Sequence, residues 1–295
     1  MSMTRREFLG RSAAGIVGMG LVEELMAAKE SAAPGLRVGV CDWSIGAKGR
    51  KALDLARTIG LDGVQISPRG AGEKLSFTKA EEIEEYKKAV KETGVQIASV
   101  ALGLLNEYPL ASDPRGPGWL EQTIDAAAAL GCTATLLAFF GRGDLRDAKG
   151  QLKGKDVDAV VGRLKDAAPR AKQKGVFLGI ENWLSAADNL KILDRVGSDH
   201  VQVYYDIANS TVRGYDVPAE IRSLKGRICE FHLKNTDGLF GERGVKMPPV
   251  VEAVREIGYT GWLVMEQHFG KDMPGYFRAN AAYIRKAFGL EKPSR

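Results

Sequence analysis

Histidine and cysteine are both scarce in this chain, with three of each among 295 residues. Cys41, Cys132 and Cys229 are odd in number, so they cannot all pair, and each lies in or beside a β-prone run. Buried free thiols are therefore expected, not a disulfide framework. The formal charge is only +5, and no run of five or six like charges concentrates it. A nucleic-acid partner is not expected on that ground. No apolar stretch is long enough to span a bilayer; the small-residue run Ser12 to Val22 falls short. There is no literal repeat, no low-complexity segment and no linker between residues 36 and 290. What remains is an ordinary globular composition, 44% hydrophobic and 27% charged, at a length that suits one domain plus a leader.

Residues 1–33 read as that leader. Thr4-Arg5-Arg6-Glu7-Phe8-Leu9 resembles the twin-arginine export signal of bacteria, and Ser12 to Val22 would follow as its apolar core. An amphipathic helix that happens to carry Arg-Arg is the alternative. Export implies the export machinery as a partner and the periplasm as destination. The folded domain is then residues 34–295.

From Leu36 onward, strand and helix signals alternate eight times. Short apolar runs such as Leu36 to Trp43 and Val95 to Leu102 read as buried strands. Between them lie helical patterns such as Thr78 to Thr93, where Ile83, Tyr86 and Val90 share one face. Gly94 and Gly175 close helices as C-cap signals, and Pro218 opens one where proline is tolerated. Eight such units in this length imply an α/β fold, a single-domain (β/α)8 TIM barrel, more readily than an open sheet.

Four of the strands organise the chain: Phe177 to Glu181, Val201 to Asp206, Ile228 to His232 and Trp262 to Glu266. Each is an apolar run that ends on a residue able to bind a metal. In a parallel barrel the C-terminal strand ends share one face, which carries the active site. Glu181, Asp206, His232 and Glu266 should therefore converge. Their spacings of 25, 26 and 34 residues are each one helix plus one strand with loops. Three carboxylates and one imidazole form a hard, oxygen-rich site for one divalent ion. Any one of the four alone could simply close a strand; the ordered set is what carries the expectation.

These residues resemble the sugar-phosphate isomerase/epimerase superfamily, the xylose isomerase-like barrels, over residues 36–290. The carrying motifs are Gly179-Ile-Glu181-Asn182, Tyr205-Asp206-Ile-Ala-Asn209, Phe231-His232-Leu-Lys234 and Met265-Glu266-Gln267. The resemblance implies that Glu181, Asp206, His232 and Glu266 hold one Mn²⁺, Mg²⁺ or Co²⁺. The family's ketohexose 3-epimerases have a His three residues after the metal Asp, an Arg six after the metal His and a Glu six after the first metal Glu. Here those positions are Asn209, Gly238 and Ala187. They contact the sugar, so the likeness extends to the metal and not to an unmodified ketohexose. With only His200, His232 and His268, a trinuclear zinc endonuclease on the same barrel is not expected.

Such a site suits proton abstraction beside a carbonyl through an enediolate that the ion stabilises. Glu181 and Glu266 are the candidate acid/base pair. Proton return to the same carbon is epimerisation, return to the neighbouring carbon is isomerisation, and loss of a β-leaving group is a lyase or dehydratase reaction. Candidate contacts to a carbohydrate substrate are Lys234, Asn209, Trp183, Trp43, Glu107 and His268. Phe139 is a further aromatic near a strand end, with barrel packing as its alternative role. A sugar-binding barrel without turnover, and a homo-oligomer, remain open readings.

Overall fold

The structure, a computed structural model, describes residues 35–267 and 272–290. The expected leader and His268 lie outside the described residues. Eight parallel strands close into a barrel in chain order, with the first paired to the last. They are β1 (Arg37–Cys41), β2 (Gly63–Ile66), β3 (Gln96–Leu102), β4 (Ala134–Ala138), β5 (Phe177–Glu181), β6 (Val201–Asp206), β7 (Ile228–Leu233) and β8 (Trp262–Met265). The helices are α1 (Arg50–Ile59), α2 (Ala80–Thr93), α3 (Gly116–Ala129), α4 (Gly154–Lys174), α5 (Ala186–Val196), α6 (Ile207–Val212), α7 (Val217–Leu224), α8 (Met247–Glu256) and α9 (Met273–Phe288). The single-domain α/β barrel expected from the alternation is the fold observed. Among the described residues no helix is long and apolar enough to cross a membrane.

Strand periodicity divides the core in two. Val38, Val64, Leu178, Tyr205, Phe231 and Leu233 face outward and join the helices in one large apolar cluster. Their neighbours face the barrel interior, where Cys41, Ala98, Trp262 and Val264 form a small cluster. Trp262 begins β8 and lies across the strand starts. A Cβ on Gly63 would collide with its ring, and the Arg37 guanidinium stacks 4.1 Å from the ring centroid. The interior is thus closed by an indole at its N-terminal end.

Two bulges break the period of two. Between the pairs Val64–Ile97 and Ile66–Val100, β3 gains one residue on β2. Between Val203–Ile228 and Tyr204–Glu230, β7 gains one on β6. A bulge leaves an extra residue unpaired and re-aims the side chains after it. Here the segments affected are Ala98–Ser99 and Cys229, and both precede or contain polar side chains that point inward.

The cysteines are free, two buried and Cys229 half-buried. The short helix α6 is absent from the sequence reading, which runs from strand six to the helix at Pro218. Its six residues, Ile-Ala-Asn-Ser-Thr-Val, have weak intrinsic helix preference. It forms because Asp206 caps it, accepting from the amides of Ala208 at 2.7 Å and Asn209 at 2.8 Å, a typical N-cap arrangement.

Candidate active site

The C-terminal strand ends bring the four expected residues together. Glu181 closes β5, Asp206 closes β6, His232 is the fifth residue of β7 and Glu266 follows β8 directly. One potential ligand atom from each lies within 4.8 Å of all the others. An octahedral magnesium site spans about 4.2 Å across opposite ligands, so the cluster is close to that size.

Each side chain is held by a named partner. His232 is fully buried. Its Nδ1 lies 2.8 Å from Glu181 Oε1 and 3.7 Å from Glu266 Oε2. Its Nε2 lies 2.8 Å from Gln65 Oε1. Glu266 has both oxygens engaged: Trp43 Nε1 donates to Oε1 at 3.1 Å, and Lys234 Nζ donates to Oε2 at 2.9 Å. Asp206 spends Oδ1 on the α6 cap, while its buried Oδ2 has no hydrogen-bond partner among the described residues. Leaving such a group unsatisfied costs on the order of 1–3 kcal/mol. Buried polar atoms without partners are rare and call for a ligand or other cause.

The charges agree with that reading. Burial would depress the His232 imidazole, but Glu181, Glu266 and Asp206 together raise it to about 9. Burial raises the Glu181 carboxyl against the opposing pull of His232. Burial, then Glu181 and Glu266, push Asp206 up to about 7. Glu266 moves the other way: burial alone would raise it, but His232 and Lys234 outweigh this and hold it at about 2. Burial alone would lower Lys234, and Glu266 and Asp206 more than reverse that. Three carboxylates thus face one imidazole and one ammonium, an excess of negative charge that a divalent cation would offset. The residues present fit such an ion by donor type, spacing and the free Asp206 oxygen.

A cavity of about 310 Å³ opens above the cluster, with Glu181 and Glu266 in its wall. That volume is at the small end of ligand pockets. Leu104, Leu136, Ala138 and Phe140 form an apolar side, and Ser67 and Asn106 add polar groups. Trp43 lines the mouth and is 37% exposed.

The other expected contacts divide. Lys234 and Trp43 are at the cluster, both through Glu266. Asn209 is buried on the first turn of α6, tied to Asp206 through its backbone. Trp183 stands behind the cavity wall, edge-on to Phe140 at 5.2 Å. Glu107 turns to solvent and pairs with Arg142 at 3.1 Å, because the turn over Gly103–Asn106 carries it outward. Phe139 packs outward in the large apolar cluster, and Phe140 supplies the aromatic wall instead. Four interior groups went unread in the sequence: Gln65, Ser99, Tyr204 and Glu230, all buried beneath the cluster. Polar residues inside apolar runs were the only signal for them.

A closed parallel barrel with a carboxylate–imidazole cluster at its C-terminal mouth defines an α/β barrel protein with a candidate metal centre. The chain belongs to the xylose isomerase-like TIM barrel family, whose model matches residues 53–287. It is 27% identical over 181 residues to the 2-epi-5-epi-valiolone 7-phosphate 2-epimerase of an Actinoplanes species, covering 61% of this chain and 65% of that protein. It is 27% identical over 236 residues to an L-ribulose-5-phosphate 3-epimerase of Escherichia coli, covering 72% and 80%. The fold is also that of a solved L-ribulose 3-epimerase, with TM-score 0.73, 19% identity and coverage of 86% and 95%. A 3-keto-D-glucoside 4-epimerase from E. coli gives TM-score 0.70 at 17% identity, covering 85% and 99%.

Proposed function

We propose that this protein is a divalent-metal-dependent epimerase or isomerase of a keto-sugar or sugar derivative. The observation that carries the proposal is the placement of Glu181 and Glu266. Both border one cavity, and His232 Nδ1 lies between them at 2.8 and 3.7 Å. The strands β6 and β7 separate the two carboxylates, so they approach a substrate from different sides. The epimerases among its relatives support the reaction class.

When bound, a divalent ion would supply Lewis acidity toward a carbonyl oxygen and its neighbouring hydroxyl. Glu181, Asp206, His232 and Glu266 would hold it. His232 and Lys234 keep Glu266 ionised, and Trp43 and Lys234 orient it, so Glu266 is suited to accept the proton on the carbon next to the carbonyl. Glu181 is suited to deliver a proton from the other side. The Lys234 ammonium, on the same carboxylate, also offers positive charge to a developing oxyanion. The apolar wall of Leu104, Leu136 and Phe140 fits a sugar face or apolar substituent and limits water. Gly238, six residues after His232, where the ketohexose enzymes of the family have Arg, offers no side chain to a sugar. This favours a modified sugar over a plain ketohexose.

The test is a panel of ketoses, 3-keto-glycosides and inososes incubated with metal-loaded protein in D₂O. Deuterium should enter at the carbon beside the carbonyl of the true substrate, with an epimer or isomer as product. A dehydrated product would move the assignment to a lyase. Absence of exchange across the panel would leave a binding barrel.

We also propose export of the folded protein, resting on Arg5-Arg6 and the apolar segment after it. Replacing both arginines by lysine should retain the protein in the cytoplasm. An unchanged distribution between cell fractions would end that proposal.

A further inference from the structure

Beneath the cluster, four side chains from four strands form a single directed chain of hydrogen bonds. Glu230 Oε1 on β7 accepts from Ser99 Oγ on β3 at 2.7 Å and from the Tyr204 hydroxyl on β6 at 2.7 Å. While Glu230 is ionised, both hydroxyl protons are committed to it, and both oxygens are left as acceptors. Gln65 Nε2 on β2 donates to them, at 2.9 Å to Ser99 and 3.0 Å to Tyr204. That fixes the Gln65 amide with its oxygen facing the other way. Gln65 Oε1 then lies 2.8 Å from His232 Nε2 and 3.2 Å from Cys41 Sγ, which donates to it.

A carboxamide oxygen can only accept. His232 Nε2 must therefore carry a hydrogen, and the lone pair of the neutral ring must be on Nδ1, the atom facing Glu181 and Glu266. The tautomer of a histidine ligand is set by the bond its other nitrogen makes. All five side chains, from Glu230 to His232, are buried, so water does not compete for these positions. The two strand irregularities described above explain how the network is assembled. One lies at Ala98–Ser99 and the other at Cys229, immediately before Glu230. Each lets a polar side chain enter an interior that strict alternation would have given to another residue.

We propose that Gln65, oriented by Ser99, Tyr204 and Glu230, is a positioning residue that fixes His232 in the Nε2–H form and so presents Nδ1 to a divalent ion. This rests on the metal reading of the site. Gln65 itself touches neither ion nor substrate in this assignment; it acts through the ring.

The chain has only three histidines, so imidazole nitrogen signals of ¹⁵N-labelled full-length protein are few, and a His200→Asn variant assigns one of them. His232 should show a protected Nε2–H proton in metal-free protein and in protein loaded with Mg²⁺. Gln65→Met keeps length and volume but removes the acceptor. That proton should then be lost, and Mn²⁺ binding should weaken by about 10–100-fold, the usual effect of losing such a partner. Gln65→Glu keeps the acceptor, so it should restore the Nε2–H signal, which a purely packing role would not require. If Gln65→Met does not fold, the pair Ser99→Ala and Tyr204→Phe frees the amide to rotate and should give the same losses. Retention of both the proton and the Mn²⁺ affinity in the folded variants would overturn the proposal, as would an unprotonated Nε2 in the parent protein. Failure of the parent to bind Mn²⁺ at all would overturn the metal reading instead, and the metal-free proton signal would still decide the role of Gln65.

Discussion

Glu266→Gln should lower turnover by about 10²–10⁴-fold, the usual contribution of a general base, and saturating metal should not restore it. The substitution keeps the side-chain length and one carbonyl oxygen, which can still accept from Lys234. It removes the basic group and places an amide where Trp43 now donates. If Glu266 served only to hold the ion, activity would follow metal occupancy and recover in excess metal. Measuring rate and bound metal on the same samples separates the two cases. The companion Glu181→Gln should block deuterium exchange from one side of the substrate and spare the other. Full recovery of Glu266→Gln with metal alone would reduce Glu266 to a ligand.

Replacing His232 by alanine should abolish metal binding and activity together. The loss should exceed the about 10–100-fold effect of removing an outer hydrogen-bond partner, because a donor atom itself is gone. The same residue sets the pH dependence. In the metal-free protein the carboxylates raise His232 to about 9, so below that pH a proton occupies the ring and competes with the ion. Affinity should therefore rise with pH, by about tenfold per unit where a single proton is displaced, and level off above about 9. Asp206, at about 7, should steepen the rise in the lower part of that range. Calorimetric titrations in buffers of different ionisation enthalpy would count the released protons. Full metal content in His232→Ala by elemental analysis would remove His232 from the ligand set.

Much of the site was legible because each of Glu181, Asp206, His232 and Glu266 terminates a short apolar run, and parallel barrels gather such ends on one face. The fold was legible for the related reason that buried parallel strands and amphipathic helices alternate with few interruptions. What failed to show was whatever depends on local departures from those periods. Phe139 and Phe140 are adjacent, and only the closed barrel decides which one meets the cavity. Glu107 looked placed for a substrate, but the turn after β3 rotates it to Arg142. Asp206 was readable as a candidate ligand but not as a helix cap, a role its Oδ1 fills while Oδ2 is left without a partner among the described residues. Gln65, Ser99, Tyr204 and Glu230 stayed hidden because two of them depend on bulges, and no alternation rule reports a bulge.

The indole of Trp262 across the strand starts makes the barrel a vessel with one opening. The cavity over the carboxylates is bordered by Trp43 and Phe140. The cavity of about 310 Å³ above the cluster has room for a ligand of about sugar-ring size and is open to solvent. On the proposed function, a mouth of this kind would take the end of a longer molecule as readily as a free sugar.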